Sequence, residues 1–174
     1  MKNLITSIIF CFLLIGNIFA QKAEPKFSSV YTDLNKSCKT IRGGDGQDDA
    51  FDCRGIGGYR IYNWSAAAAQ FFAVKTSKKD EDMIQLATQD FNYNMNKVKI
   101  EWRLANGKPF AVIMRFDKYS DTKDEFAYFG KKNGEELIIK GLKGFEKIDF
   151  TVDGKTPNAN AEARKLADNA FLGK

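Results

Sequence analysis

The side chains able to do chemistry set the first limits on this chain. Its 174 residues include no histidine, so general acid–base work would fall to carboxylates or lysines. Glu101, beside Trp102, is the candidate for a perturbed carboxylate; the plainer reading makes it a solvent-facing or salt-paired strand residue. A glycosidase-like partnership with Asp117 or Asp149 would need carboxyl groups about 5–9 Å apart. Ser65 lies in no G-x-S-x-G elbow and has no histidine to activate it, so the usual serine triad is excluded. No catalytic residue is assigned. Asp45, Asp48, Asp49 and Asp52 lack the spacing and the closing glutamate of a standard calcium loop. Two distant cysteines without histidine make a poor ligand set. No metal and no cofactor is expected.

Groups suited to recognition are easier to find. Cys53-Arg54-Gly55-Ile56-Gly57-Gly58-Tyr59 places three glycines in four positions, which implies unusual backbone angles or close backbone approach. The spacing is not that of a dinucleotide fingerprint, and the segment that follows reads as a strand. A tight, cysteine-pinned bend is expected, with Gly57, Gly58 and Tyr59 as binding candidates and Tyr59 first a core or loop lock. Trp102 and Arg115 complete the candidate binding set. Arg115 is either a paired structural arginine or an anchor for an anionic ligand.

These groups need a scaffold and a compartment. Met1-Lys2, the apolar run from Leu4 to Phe19 and Ala20 have the form of a secretory signal peptide over residues 1–20. That run is short for a membrane span. Residues 21–174 would then form one exported domain, periplasmic or extracellular, without a membrane span. Loss of Lys2 leaves 26 basic against 22 acidic residues, a net charge of +4. The basic residues are scattered, with no stripe to track a phosphate backbone, so nucleic acid is not an expected partner. Cys38 and Cys53 remain, and an oxidising compartment favours a disulfide between them. Closing that loop stabilises by roughly 3 kcal/mol in the chain-entropy model.

The elements read as an α+β fold: an antiparallel β-sheet meander packed against a C-terminal amphipathic helix. Short strands are expected around Val30–Tyr31 and Lys39–Ile41. Tyr59–Trp64 and Gln70–Thr76 form adjacent strands, and Met83, Leu86 and Ala87 line a short helical face. Val98, Ile100, Trp102 and Leu104 alternate with polar residues before Asn106-Gly107, a strong hairpin signal. A two-residue turn there pairs Ala105 with Lys108, Trp102 with Ala111, Ile100 with Ile113 and Arg103 with Phe110. Arg115 then shares the face of Trp102, opposite Arg103, and the two arginines form a clamp only if a bulge intervenes. The return strand, Phe110–Phe116, is apolar on both faces and should be central. Further strands are expected at Glu125–Gly130, Leu137–Lys140 and Phe145–Val152, with a turn at Lys132–Glu135. Ala159, Ala163, Leu166 and Ala170 form a helical stripe joined by Ala167 and Phe171, capped by Asn158 or Asn160, with Arg164, Lys165 and Asp168 outside it.

Cys38, the C-x-G-x-G-G-Y run at Cys53–Tyr59, Glu101-Trp102-Arg103, Gly107-x-Pro109-Phe110-Ala111-x-Ile113-x-Arg115 and the pattern from Asn158 to Asp168 together resemble a group of uncharacterised exported bacterial proteins. Members often carry another cysteine near the last strand, where this chain has Phe145-Glu146-Lys147. The resemblance implies export and one domain, and brings no activity with it. The expected function is a secreted binding or interaction domain that recognises a protein or a cell-envelope ligand, or inhibits an extracellular hydrolase. The alternatives are a small histidine-free exported hydrolase using carboxylates and a structural envelope protein. Asn35-Lys36-Ser37 and Asn63-Trp64-Ser65 match glycosylation acceptors.

Overall fold

A computed structural model describes residues 24–42, 50–76, 83–90, 92–94, 98–124, 127 and 129–174. Residues 1–20, expected as a signal peptide, and residues 43–49 lie outside the described residues. In chain order the elements are β1 (Phe27–Asp33), α1 (Leu34–Ser37), β2 (Cys38–Arg42), β3 (Ala50–Arg54), β4 (Arg60–Ala66), β5 (Ala69–Lys75), β6 (Met83–Asp90), β7 (Lys99–Ala105), β8 (Lys108–Tyr119), β9 (Lys132–Gly141), β10 (Asp149–Asp153) and α2 (Ala159–Phe171).

The α+β class and the terminal helix are as the sequence reads, but the meander is divided. One sheet has the order β1-β7-β8-β9-β10 and the other β2-β3-β4-β5-β6. Every strand pairing among the described residues is antiparallel. The first sheet carries α2 on its outer face, and the second carries the disulfide; they are called here the helix-backed sheet and the disulfide sheet. Between them lies a core of Ile61, Phe72, Val74 and Leu86 from one side and Ile100, Trp102, Val112, Met114 and Phe116 from the other. A second core, with Phe110, Ala111, Ile113, Leu137 and Ile139, lies under Ala159, Ala163 and Ala167 of α2. Strand β8 is third of five and apolar on both faces because each face meets a different core.

The hairpin after Asn106-Gly107 departs from the simple register. Ala105 faces Lys108, as a two-residue turn requires, but Leu104 then faces Pro109 and Arg103 faces Ala111, leaving Phe110 as an extra residue. Proline has no N–H for a ladder, and inside a sheet it is found at bulges. Beyond this bulge every pairing moves by one. Trp102 faces Val112 and Ile100 faces Met114. Arg115 therefore does not share the Trp102 face; it lies on the Glu101 and Arg103 side, beneath α2.

Other local expectations are corrected by long-range pairing. Met83–Asp90 is the edge strand β6 rather than a helix, with a register shift opposite Phe72 and Ala73 that hides its period. Gln89 ties it to the other sheet, its side-chain amide exchanging hydrogen bonds with the backbone of Asp117 at 3.0 and 3.2 Å. Asn133-Gly134 is not a turn but part of β9, at a register shift where Gly134 faces Lys118 of the long strand β8. Residues 127, 129 and 130, in the stretch expected as a strand, are coil. The strand expected from Phe145 to Val152 begins only at Asp149, as β10. Asn158 occupies the N-cap position of α2 at φ 56°, yet its side chain makes no capping bond. Asn160 is spent instead on Arg115, accepting from Nη2 at 3.2 Å.

Candidate binding site

Cys38 and Cys53 face each other across β2 and β3 and form the disulfide. The glycine run follows directly. Tyr59 N donates to Ile56 O and Gly55 N to Tyr59 O, each at 3.1 Å, closing a tight turn. Gly57 and Gly58 take φ of 64° and 88° at its tip, a conformation that side chains oppose. A Cβ on Gly57 would come within 2.7 Å of Pro109, and one on Gly55 within 2.7 Å of the Trp102 ring. The turn is thus seated on the β7–β8 hairpin, with the rings of Tyr59 and Trp102 at 6.2 Å.

This geometry separates the expected binding residues. Gly57 and Gly58 are exposed and Tyr59 is half-buried at the turn. Trp102 is fully buried, and its Nε1 donates to Thr32 Oγ1 at 2.9 Å. It supports the turn from beneath and presents no surface. Arg115 is half-buried on the other face of its sheet, near Glu135 at 3.2 Å. It lies apart from the glycine turn, lining clefts on the helix side.

A residue outside that set joins the two regions. Tyr31 of β1 is 54% exposed, and among the described residues only Ile41 is comparable as an exposed large apolar side chain. Tyr31 borders a depression of about 560 Å³ formed with the glycine turn and Arg54, and also one of about 250 Å³ with Lys99, Glu101, Arg115 and Arg164. Its ring is exposed but its hydroxyl is fixed: Arg164 Nη2 donates to it at 2.9 Å and it donates to Glu101 Oε2 at 3.2 Å. In the sequence Tyr31 stands out only as part of the short strand expected around Val30–Tyr31.

Behind Tyr31 runs a polar chain that clamps α2 to the sheet. Arg164 Nε donates to Glu101 Oε1 at 2.6 Å. Ser29 donates to the same oxygen and accepts from Arg103 Nη1. Arg103 grips Asp168 with two bonds of 2.8 and 2.6 Å. Asn160, Arg164 and Asp168 are four residues apart, so α2 presents them as one stripe to Arg115, Glu101 and Arg103. Burial pushes the Glu101 carboxyl up, but bonds from Arg164, Ser29 and Tyr31 and the charge of Arg164 outweigh it and hold the group below its usual range. Its hydrogen bonds to Glu101 hold the Arg164 guanidinium above its ordinary pKa.

Glu101 does not share its cleft with Asp117 or Asp149, the partners the sequence offered for it. Glu101 is the one carboxylate lining the Tyr31–Arg164 cleft. Asp117 and Glu135 line another, of about 360 Å³, where Lys132 lies 2.7 and 4.0 Å from them. No group of three or more metal-ligating residues occurs among the described residues. Of the two glycosylation patterns, Asn63 is buried and its Nδ2 donates to Phe71 O, whereas Asn35 is exposed. No described helix is long and apolar enough to cross a membrane. No family model, curated protein or solved structure matches the chain.

Proposed function

We propose that the protein is an exported binding module whose contact surface centres on Tyr31, with the glycine turn on one side and the Lys99–Arg164 cleft on the other. The observation that carries this reading is an exposed aromatic ring whose hydroxyl is held by a partly buried ion pair at the junction of two depressions. Binding energy concentrates in such anchors, because a fixed ring loses little freedom on contact. Its partner is a protein or a cell-envelope component, and inhibition of an extracellular hydrolase is one form this binding would take. The hydrolase alternative draws less support. A general acid needs a carboxyl with a raised pKa, and the buried Glu101 is shifted the opposite way.

The test is retention of purified protein by an envelope fraction, and enrichment of specific partners on immobilised protein. Wild type should exceed Tyr31→Ala by at least tenfold, with Tyr59→Ala weakening binding less. Equal retention of all three proteins would remove Tyr31 from the surface and end this reading.

A further inference from the structure

The helix-backed sheet stops at β1, and the outer margin of that strand is open. Lys26 O accepts from Asn106 N, and Leu34 N donates to Val98 O, so the even positions along β1 are the ones bonded to β7. Bonded and non-bonded pairs alternate in an antiparallel ladder. Phe27, Ser29 and Tyr31 therefore turn their N–H and C=O groups away from β7, and no backbone group among the described residues meets them. Sheet edges are ordinarily blunted by lysine, proline or a bulge. The sequence Phe-Ser-Ser-Val-Tyr-Thr-Asp has none of these, and its register with β7 is unbroken. The exposed ring of Tyr31 stands on this margin. Beside it, the depression under the glycine turn holds the exposed Arg54, and no carboxylate among the described residues lines it.

We propose that an extended peptide segment of a partner protein adds to β1 as a sixth strand, with an acidic side chain directed to Arg54. This rests on the Tyr31 surface described above and names the chemistry it recognises. Donors and acceptors repeating every second residue match a peptide backbone, which repeats with the same period. The ring of Tyr31 packs on a side chain of the added strand, and the cationic depression selects an acid.

The probe is a random nonapeptide display library panned on the purified protein. Selected peptides should be rich in strand-forming residues with an acid at a fixed position, and should bind at least tenfold more weakly to Tyr31→Ala and to Arg54→Glu. Arg54 is exposed, so the second variant should keep the wild-type circular dichroism spectrum and melting temperature. Methylating the peptide's backbone nitrogens one at a time should cost at least tenfold at every second residue and little between. Uniform tolerance of methylation, or failure to select any Tyr31-dependent peptide, would overturn strand addition. If Tyr31-dependent retention by the envelope fraction survived either result, the binding surface would stand without it. A concentration-dependent dimer in sedimentation, lost in Tyr31→Ala, would give the edge to a second copy of the chain and likewise overturn the proposal.

Discussion

Replacing Glu101 by glutamine should loosen α2 from its sheet. The substitution keeps shape and removes charge. Arg164 would lose the carboxylate that accepts two of its bonds, Ser29 would lose its ionised acceptor, and Tyr31 would be held on one side only. Breaking a fully buried ion pair by removing one partner costs about 3–5 kcal/mol, while an exposed pair is worth at most about 1 kcal/mol. This pair lies between, since the Glu101 side chain is 8% exposed and that of Arg164 36%. Screening at the arginine end brings the expected loss to about 2 kcal/mol at neutral pH. For a chain of this size that corresponds to a fall in Tm of about 4–8 °C. The pH dependence fixes the cause. The folded state holds the Glu101 carboxyl below its usual value of 4.5, so its contribution is complete above that value and is lost as the pH falls through the folded pKa. Urea titrations of wild type and E101Q between pH 7 and pH 3 should therefore converge at the acid end. A stability gap below about 0.5 kcal/mol at pH 7, or one that stays constant to pH 3, would refute the assignment of Glu101 as the charged centre of the clamp.

Gly57→Ala should destabilise by about 1–3 kcal/mol in chemical denaturation, because the residue has φ of 64° and its Cβ would meet Pro109 at 2.7 Å. Trp102→Phe should cost about 2–3 kcal/mol by the same assay, through lost volume and loss of the bond that Thr32 accepts from Nε1. Ala163→Leu should destabilise by about 1–3 kcal/mol through overpacking, since this alanine is fully buried between α2 and its sheet. Leu166→Ala, which the stripe pattern alone would place at about 2–5 kcal/mol if buried, should cost only about 1–2 kcal/mol because Leu166 is half-buried at the margin of that core. Thermal melts of this pair would decide the matter, and a larger effect for Leu166→Ala would mean the alanines are not the contact line.

Local pattern carried much of the fold, and the failures share a cause. The β4–β5 pair, the turn at Asn106-Gly107, the central place of β8 and the alanine face of α2 all follow from residues close in sequence. The Cys38–Cys53 bond was legible because the expected loss of residues 1–20 would leave two cysteines, which have one internal pairing. What local pattern missed depends on partners far along the chain. Asn133-Gly134 reads as a turn until the length of β8 draws it into a strand. Met83–Asp90 loses its period because an extra residue within it, Leu86, lies between the partners of Phe72 and Ala73 and breaks the alternation. The bulge at Phe110 moved Arg115 to the other face, although Pro109 was the visible sign that the ladder would be interrupted there. Glu101 was legible as a salt-paired residue, but its partner, 63 positions away on α2, was not. The exposure of Tyr31 was not legible because it depends on β1 ending a sheet, and strand order is not a local property.

The sequence motifs spread from Cys38 to Asp168 meet one another in space. Glu101 and Arg103 are held by Arg164 and Asp168, and Arg115 by Asn160. Gly55 packs on Trp102, Gly57 on Pro109, and Cys38 bonds Cys53. Each motif is one half of a contact whose other half is another motif, and the contacts join the disulfide sheet to the hairpin and the hairpin to the helix. Such residues are needed to close the fold whatever it binds. Tyr31 and Arg54, which face outward at the margin of β1, contribute little to that closure beyond the tyrosine hydroxyl. A scaffold fixed by its motifs and the proposed recognition edge, free of them, can be altered separately, so changing Arg54 should alter binding without altering folding, whereas changing Asp168 should disturb both.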